Sequence, residues 1–290
     1  MFRGSIVAVT TPFKNGRPDP GPYKDHIEWV IENGSDGIVP CGSTGESATL
    51  THEEHKELIS IAVKTANGRA KVIAGTGSNS TAEAIEFTGA AKDLGADGAL
   101  LISPYYNKPT QEGLYLHHMA IADAVELPQL LYNVPGRTAC DILPETVERL
   151  SAHPNIVGIK EATGSVERAE QIINRCPHEF LLLSGDDAIN YPLLAIGSAG
   201  SISVTANIVP KEMAHMHDQY FEGIHEDALR IHNELMDLHA VMFIESNPIP
   251  VKTALGMMGQ MSDDMRLPLS PISDENRKKL EDVLRRYSLL

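Results

Sequence analysis

Cysteine is scarce in this chain. The three present, Cys41, Cys140 and Cys176, form no C-x-x-C pair; an odd, dispersed set offers no disulfide framework and points to a reducing compartment. Basic residues are also few, with 24 Lys+Arg against 39 Asp+Glu and a formal charge of -15. That balance argues against a nucleic-acid backbone or an anionic membrane surface as a partner. No apolar run approaches the roughly 18 residues of a membrane span. The opening M-F-R-G-S-I-V-A-V-T has no charged segment followed by an apolar one, so a cytoplasmic location is expected. Two nucleotide-like turns stop short. Neither Gly75-Thr76-Gly77 nor Cys41-Gly42-Ser43-Thr44-Gly45-Glu46 completes G-x-G-x-x-G, because positions 80 and 47 are serine, and a dinucleotide fold is discounted.

What remains is an ordinary globular composition, 42% hydrophobic and 22% charged over 290 residues, enough for a large core. Short apolar runs recur along it: 6–10, 37–40, 72–75, 99–103, 130–134, 156–160, 181–184 and 201–205. They alternate with amphipathic stretches such as 51–66, 81–94 and 111–125, of which the first opens on a Thr51/Glu54 capping box and a later one on the weaker pair Ser165/Arg168. Strands that are apolar throughout are buried on both faces, as in a parallel sheet covered by helices. Eight such βα units fit an α/β fold closed into a (β/α)8 TIM barrel, with an open doubly wound sheet as the alternative. From about Gly223 the pattern is helical only, over 226–242, 250–258 and 274–288, and prolines at 248, 250, 268 and 271 punctuate it. The expected division is a barrel over residues 1–223 and a C-terminal helical domain over 224–290 that packs on it.

The stretch N-I-V-G-I-K-E-A-T-G, 155–164, ends a buried strand on one amine, Lys160. Burial disfavours the ammonium, lowers its pKa and frees a nucleophile suited to imine formation with a carbonyl substrate. In a barrel the loops after the strands gather at one end. That rule brings Lys160 together with Gly42, Ser43 and Thr44, with Tyr105 and Tyr106, with Tyr132 to Arg137, and with Ser184-Gly185-Asp186-Asp187. An amine, several phenols, a hydroxyl-bearing turn and a guanidinium together suit Schiff-base chemistry with proton relay through hydroxyls.

The segments G-S-I-V-A-V-T-T-P-F, G-S-T-G-E-S-A-T-L, Y-Y-N-K-P, Y-N-V-P-G-R-T, G-I-K-E-A-T-G, L-S-G-D-D and I-S-V-T-A-N occur in this order, followed by N-P-I-P-V-K and R-L-P-L. Through them the chain resembles the dihydrodipicolinate synthase family of pyruvate-dependent class I aldolases over almost its whole length. The resemblance implies condensation of pyruvate with L-aspartate 4-semialdehyde in lysine and diaminopimelate synthesis, without a cofactor or metal. It implies Lys160 as the imine-forming amine and Tyr132 as proton relay, with Ser43 and with Tyr106 from a neighbouring subunit. Thr44, Gly185 and Ile202 fall at substrate positions, and Arg137 at the receptor of the semialdehyde carboxylate. The family usually has Thr where this chain has Ser43, which keeps the hydroxyl but loses the methyl that restricts χ1.

The same resemblance implies a homotetramer, a dimer of dimers, and feedback inhibition by L-lysine at Ser47, Ala48, His52, His55, Asn79, Glu83 and Tyr105. Sister enzymes such as N-acetylneuraminate lyase share the lysine and the turn but differ in the acceptor loop. A non-catalytic acid-binding barrel and a metal-dependent aldolase are the other readings. The pairs His52/His55, His117/His118 and His215/His217 contain no H-E-x-x-H and read as surface histidines.

Overall fold

The computed structural model describes residues 2–290. Eight parallel strands close on themselves: β1 (Gly4–Ala8), β2 (Gly37–Val39), β3 (Lys71–Gly75), β4 (Gly98–Ile102), β5 (Gln129–Asn133), β6 (Ile156–Glu161), β7 (Leu181–Ser184) and β8 (Gly200–Ser203). Ile6 of β1 pairs with Gly37 of β2 on one side and with Ile202 of β8 on the other. The sheet therefore has no edge, and the open doubly wound alternative is excluded. A two-stranded hairpin, Phe13–Lys14 with Arg17–Pro18, lies outside the barrel.

Alternation along each strand divides its side chains between two cores. Ile6, Val39, Ile73, Leu100, Leu130, Leu183 and Ile202 fill the interior, with Phe2 among them. Val7, Ile38, Val72 and Ala99 instead meet the surrounding helices. Both faces are apolar, hence the continuous apolar runs in the sequence. Helices His52–Ala66, Thr81–Asp93, Gln111–Ala124 and Val166–Arg175 start where Thr51, Ser80, Thr110 and Ser165 accept from backbone N–H groups of the first turn. Thr51 and Glu54 form the full capping box, a feature that typically contributes about 1 kcal/mol.

The stretch 226–242, read as one helix, is two: His225–Glu234 and Met236–Val241, parted at Leu235. No glycine or proline marks the break, so the sequence carries no local signal for it. The second segment leans over the barrel, and Met236, His239 and Ala240 reach the mouth of its interior. Helices Ile249–Met257 and Asp274–Arg286 follow; Val251, Leu255, Leu280 and Leu284 join the same apolar cluster as Val7 and Ile38 on the barrel's outer face.

Candidate active site

A cavity of about 380 Å³ opens at the C-terminal end of the strands and is lined by Ser43, Thr44, Tyr132, Arg137, Lys160 and Gly185 among others. Strand register explains the grouping. Tyr132 of β5 lies opposite Lys160 of β6, which lies opposite Leu183 of β7, so these three side chains share one inward layer. Lys160 is 5% exposed. Its ammonium nitrogen lies 4.4 Å from the centre of the Tyr132 ring. Burial lowers its pKa to about 8; Asp187 works against that shift and Arg137 adds to it. An appreciable share of free amine near neutral pH follows.

Gly185 makes the space. A Cβ there would sit 2.9 Å from Lys160 Cε and 2.7 Å from the Ala162 methyl, so any larger residue would push the lysine aside. Burial raises the pKa of the Tyr132 phenol, while Arg137 and a hydrogen bond with Ser43 draw it back. The phenol therefore stays protonated through the neutral range and serves as a donor.

Asn247, just before the helix Ile249–Met257, organises the other wall. Its Nδ2 donates to Thr44 Oγ1 at 2.9 Å, and its backbone carbonyl accepts from Arg137 Nη2 at 2.9 Å. Arg137 thus has one face tied down while the rest of its guanidinium borders the cavity. Asn247, Met236, His239 and Phe243 all line this cavity, and none was among the site residues expected from sequence. The N-P-I-P-V-K segment was the available signal for Asn247. The other three had none, because they reach the site through the break at Leu235.

Two of the expected site residues are not among those lining their own chain's cavity. Ile202 is buried in the barrel interior in one cluster with Leu183 and with Val39, which does line the cavity. Tyr106, expected to act in a neighbouring subunit, is 89% exposed with φ +72°.

A second cavity of about 500 Å³ adjoins the first and shares Ser43, Tyr132 and Arg137 with it. Six of the seven residues assigned to an effector site line it: Ser47, Ala48, His52, His55, Glu83 and Tyr105. The seventh, Asn79, donates from Nδ2 to the Tyr105 carbonyl at 3.1 Å. His52 Nε2 lies 3.0 Å from Glu83 Oε1, and Ser78 donates to the other oxygen of Glu83.

The surface reading of the histidines needs correction. His52 and His215 are exposed, but His55, His117, His118 and His217 are buried, and burial lowers the pKa of each. Helical spacing places two histidines on one face without saying whether that face meets solvent or the next helix. His55 turns inward, its Nε2 2.7 Å from the Gly75 carbonyl and its ring stacked on Phe87.

Residues 1–287 match the dihydrodipicolinate synthetase family. The 4-hydroxy-tetrahydrodipicolinate synthase of Geotalea uraniireducens is 57% identical over 290 residues, covering all of both chains. Among solved structures, the chloride-inhibited dihydrodipicolinate synthase of Acinetobacter baumannii complexed with pyruvate is 49% identical, with a TM-score of 0.98 over the whole of both chains. The Cyanidioschyzon merolae enzyme with lysine bound is 42% identical, with a TM-score of 0.96 over 100% of this chain and 99% of that one.

Proposed function

The chain belongs to the dihydrodipicolinate synthetase family, and on that premise we propose that it is a lyase of class I aldolase type that holds pyruvate as an imine on Lys160 and condenses it with L-aspartate 4-semialdehyde. One observation carries the assignment: Lys160 is buried at a strand end with its pKa lowered to about 8, beside a protonated phenol and a tethered guanidinium. The free amine attacks the keto carbon of pyruvate, and the carbonyl oxygen leaves as water after taking protons relayed by Tyr132 and Ser43. The resulting iminium draws electrons from the methyl carbon, which loses a proton to give an enamine. That carbon then attacks the aldehyde. Thr44, held by Asn247, lies where a pyruvate carboxylate would bind, and Arg137 offers the planar donors that suit the carboxylate of the semialdehyde.

Tyr106 completes the relay in a neighbouring subunit, a role its exposure supports, and the working assembly is a homotetramer of two tight dimers. The three unpaired thiols suit a cytoplasmic enzyme; no helix among the described residues is long and apolar enough to cross a membrane. The test is borohydride reduction in the presence of pyruvate, followed by peptide mass spectrometry. A single adduct on Lys160 is expected, absent in Lys160→Ala along with roughly 10³-fold or more of the turnover. An adduct on another lysine, or turnover retained in Lys160→Ala, rules the assignment out.

The second cavity is the feedback site for L-lysine. Glu83 would meet an ammonium, with His52 beside it, and the Asn79 and Tyr105 side chains suit the effector's carboxylate. Its shared wall with the first cavity at Ser43, Tyr132 and Arg137 supports a short route for inhibition, with a coupling of about 1–3 kcal/mol as is common in allostery. Titration of L-lysine should inhibit the wild type and leave Glu83→Ala much less affected. Equal inhibition of the two places the effector elsewhere.

A further inference from the structure

Asn247 is 5% exposed, borders both cavities, and uses only half of its side-chain amide. Nδ2 donates to Thr44 Oγ1. Oδ1 is shielded from solvent and has no hydrogen-bond partner among the described residues. Thr44 fixes which way round the amide sits. A hydroxyl that accepts from Nδ2 keeps its own proton for the pyruvate carboxylate, whereas the reverse orientation would consume that proton on Oδ1. An amide oxygen buried without a donor is costly and uncommon, and on the wall of a substrate cavity the substrate is the natural source of the missing N–H.

We propose, resting on the imine condensation described above, that Asn247 is a specificity-determining residue for the second substrate: Oδ1 accepts from the α-ammonium of the amino-acid aldehyde while Arg137 takes its carboxylate. An α-amino acid carries those two groups on one carbon, so the donor and the acceptor that recognise them have to be neighbours. Arg137 Nη2 is bonded to the Asn247 carbonyl at 2.9 Å, and a guanidinium has further N–H groups for a carboxylate. Asp186 also lines the first cavity. Its carboxylate, however, caps the turn after β7, accepting from the Ala188 N–H at 3.1 Å, and no ion pair or hydrogen bond joins it to Arg137 among the described residues. The chemistry favours the amide as well. To close a ring onto the iminium carbon, the substrate nitrogen sheds one proton to water and attacks as the free amine. It then passes a second proton to the Lys160 nitrogen and takes over the C=N bond as Lys160 leaves as an amine. A carboxylate partner would hold that nitrogen as ammonium; a neutral amide oxygen accepts from ammonium and amine alike.

The experiment compares L-aspartate 4-semialdehyde with 4-oxobutanoate, the same aldehyde acid without the amino group. Enzyme loaded with one equivalent of pyruvate is mixed with each aldehyde in turn. Loss of the pyruvate adduct from Lys160 is followed by borohydride quench and mass spectrometry, so that the second-order rate constant for each aldehyde reports the same bond-forming step. The wild type should prefer the amino aldehyde by about tenfold, the scale of one hydrogen bond to a charged group. In Asn247→Ala that preference should collapse to within about twofold. Loosening of Thr44 or Arg137 alone slows both aldehydes and leaves their ratio where it was, so a folded variant with the wild-type ratio overturns the inference. Asn247→Ser, polar but too short to reach as Oδ1 does, replaces the alanine variant if that one does not fold. Equal rates for the two aldehydes in the wild type overturn the inference without any variant. Absence of a Lys160 adduct in the wild type is a different failure, that of the imine reading itself.

Discussion

Two lysines are buried among the described residues, and their surroundings differ in one respect that separates chemistry from architecture. Lys160 and Lys252 are 5% and 0% exposed, and each ammonium lies 4.4 Å from the centre of an aromatic ring, Tyr132 in one case and Phe13 in the other. Lys252 forms a 2.5 Å ion pair with Glu46 and also donates to the Asp264 carbonyl. Lys160 has no salt-bridge or hydrogen-bond partner among the described residues. Burial lowers the pKa of both, but at Lys252 the Glu46 carboxylate opposes it through charge and a direct hydrogen bond. Burial alone therefore does not make a lysine nucleophilic. The amine has to be left without a contact ion pair.

The paired lysine serves to join parts of the chain. Glu46, in the turn that carries Ser43 and Thr44, binds Lys252 through one oxygen and accepts from the backbone N–H of Arg266 through the other. Arg266 in turn grips Glu54 with two bonds of 2.6 Å and donates to the Gly16 and Thr49 carbonyls. The hydroxyl turn, the hairpin loop and the C-terminal helices are thereby locked together. Breaking one side of this pair leaves an uncompensated buried charge. Glu46→Gln should cost about 3–5 kcal/mol of stability and lower turnover through the displaced turn, while pyruvate trapping on the folded fraction still falls on Lys160. Denaturant unfolding checks the first outcome and adduct mapping the second. An adduct on Lys252 in this variant would show that an unpaired buried lysine at that position suffices, and that the contrast between the two sites lies elsewhere.

The barrel was legible because its strands are apolar on both faces and its helices open on side-chain caps; both signals are local. Lys160 was legible for the same reason, an amine closing an apolar run. Its difference from Lys252 was not, since Glu46 and Lys252 lie 206 positions apart and nothing local joins N-P-I-P-V-K to the G-S-T-G-E turn. The cavity wall from Met236, His239 and Phe243 was hidden by a helix break that uses ordinary residues. Burial of the histidines was hidden too, because helical spacing groups residues on a face without assigning that face a neighbour. Resemblance supplied the roles of Tyr132 and Arg137; composition and periodicity could place them only at the correct end of the barrel.

The unpaired lysine has a stability cost that the paired one largely avoids, and its dependence on pH is fixed by the direction of the shift. Lys160 titrates at about 8 in the folded protein against an ordinary value of 10.5. Below pH 8 it is protonated in both states, and folding bears the full penalty of burying an ammonium. Between about 8 and 10.5 the unfolded chain holds a proton that the folded protein has lost, so folded-state stability gains with rising pH. Above that range both states are neutral and the penalty is gone. Lys160→Met, unbranched and of similar length, removes the ionisable group and fills the same space. This variant should be inactive yet more stable than the wild type by up to about 3 kcal/mol near pH 6.5. Its advantage should fall to less than half of that by pH 10. Parallel denaturant titrations at the two pH values measure the difference. The same comparison at Lys252→Met is expected to go the other way, because the buried Glu46 carboxylate would then lose its counter-charge. If Lys160→Met showed no gain, or a gain independent of pH, the amine would be solvated well enough to carry its charge in the fold, and its separation from Lys252 would lose its physical basis.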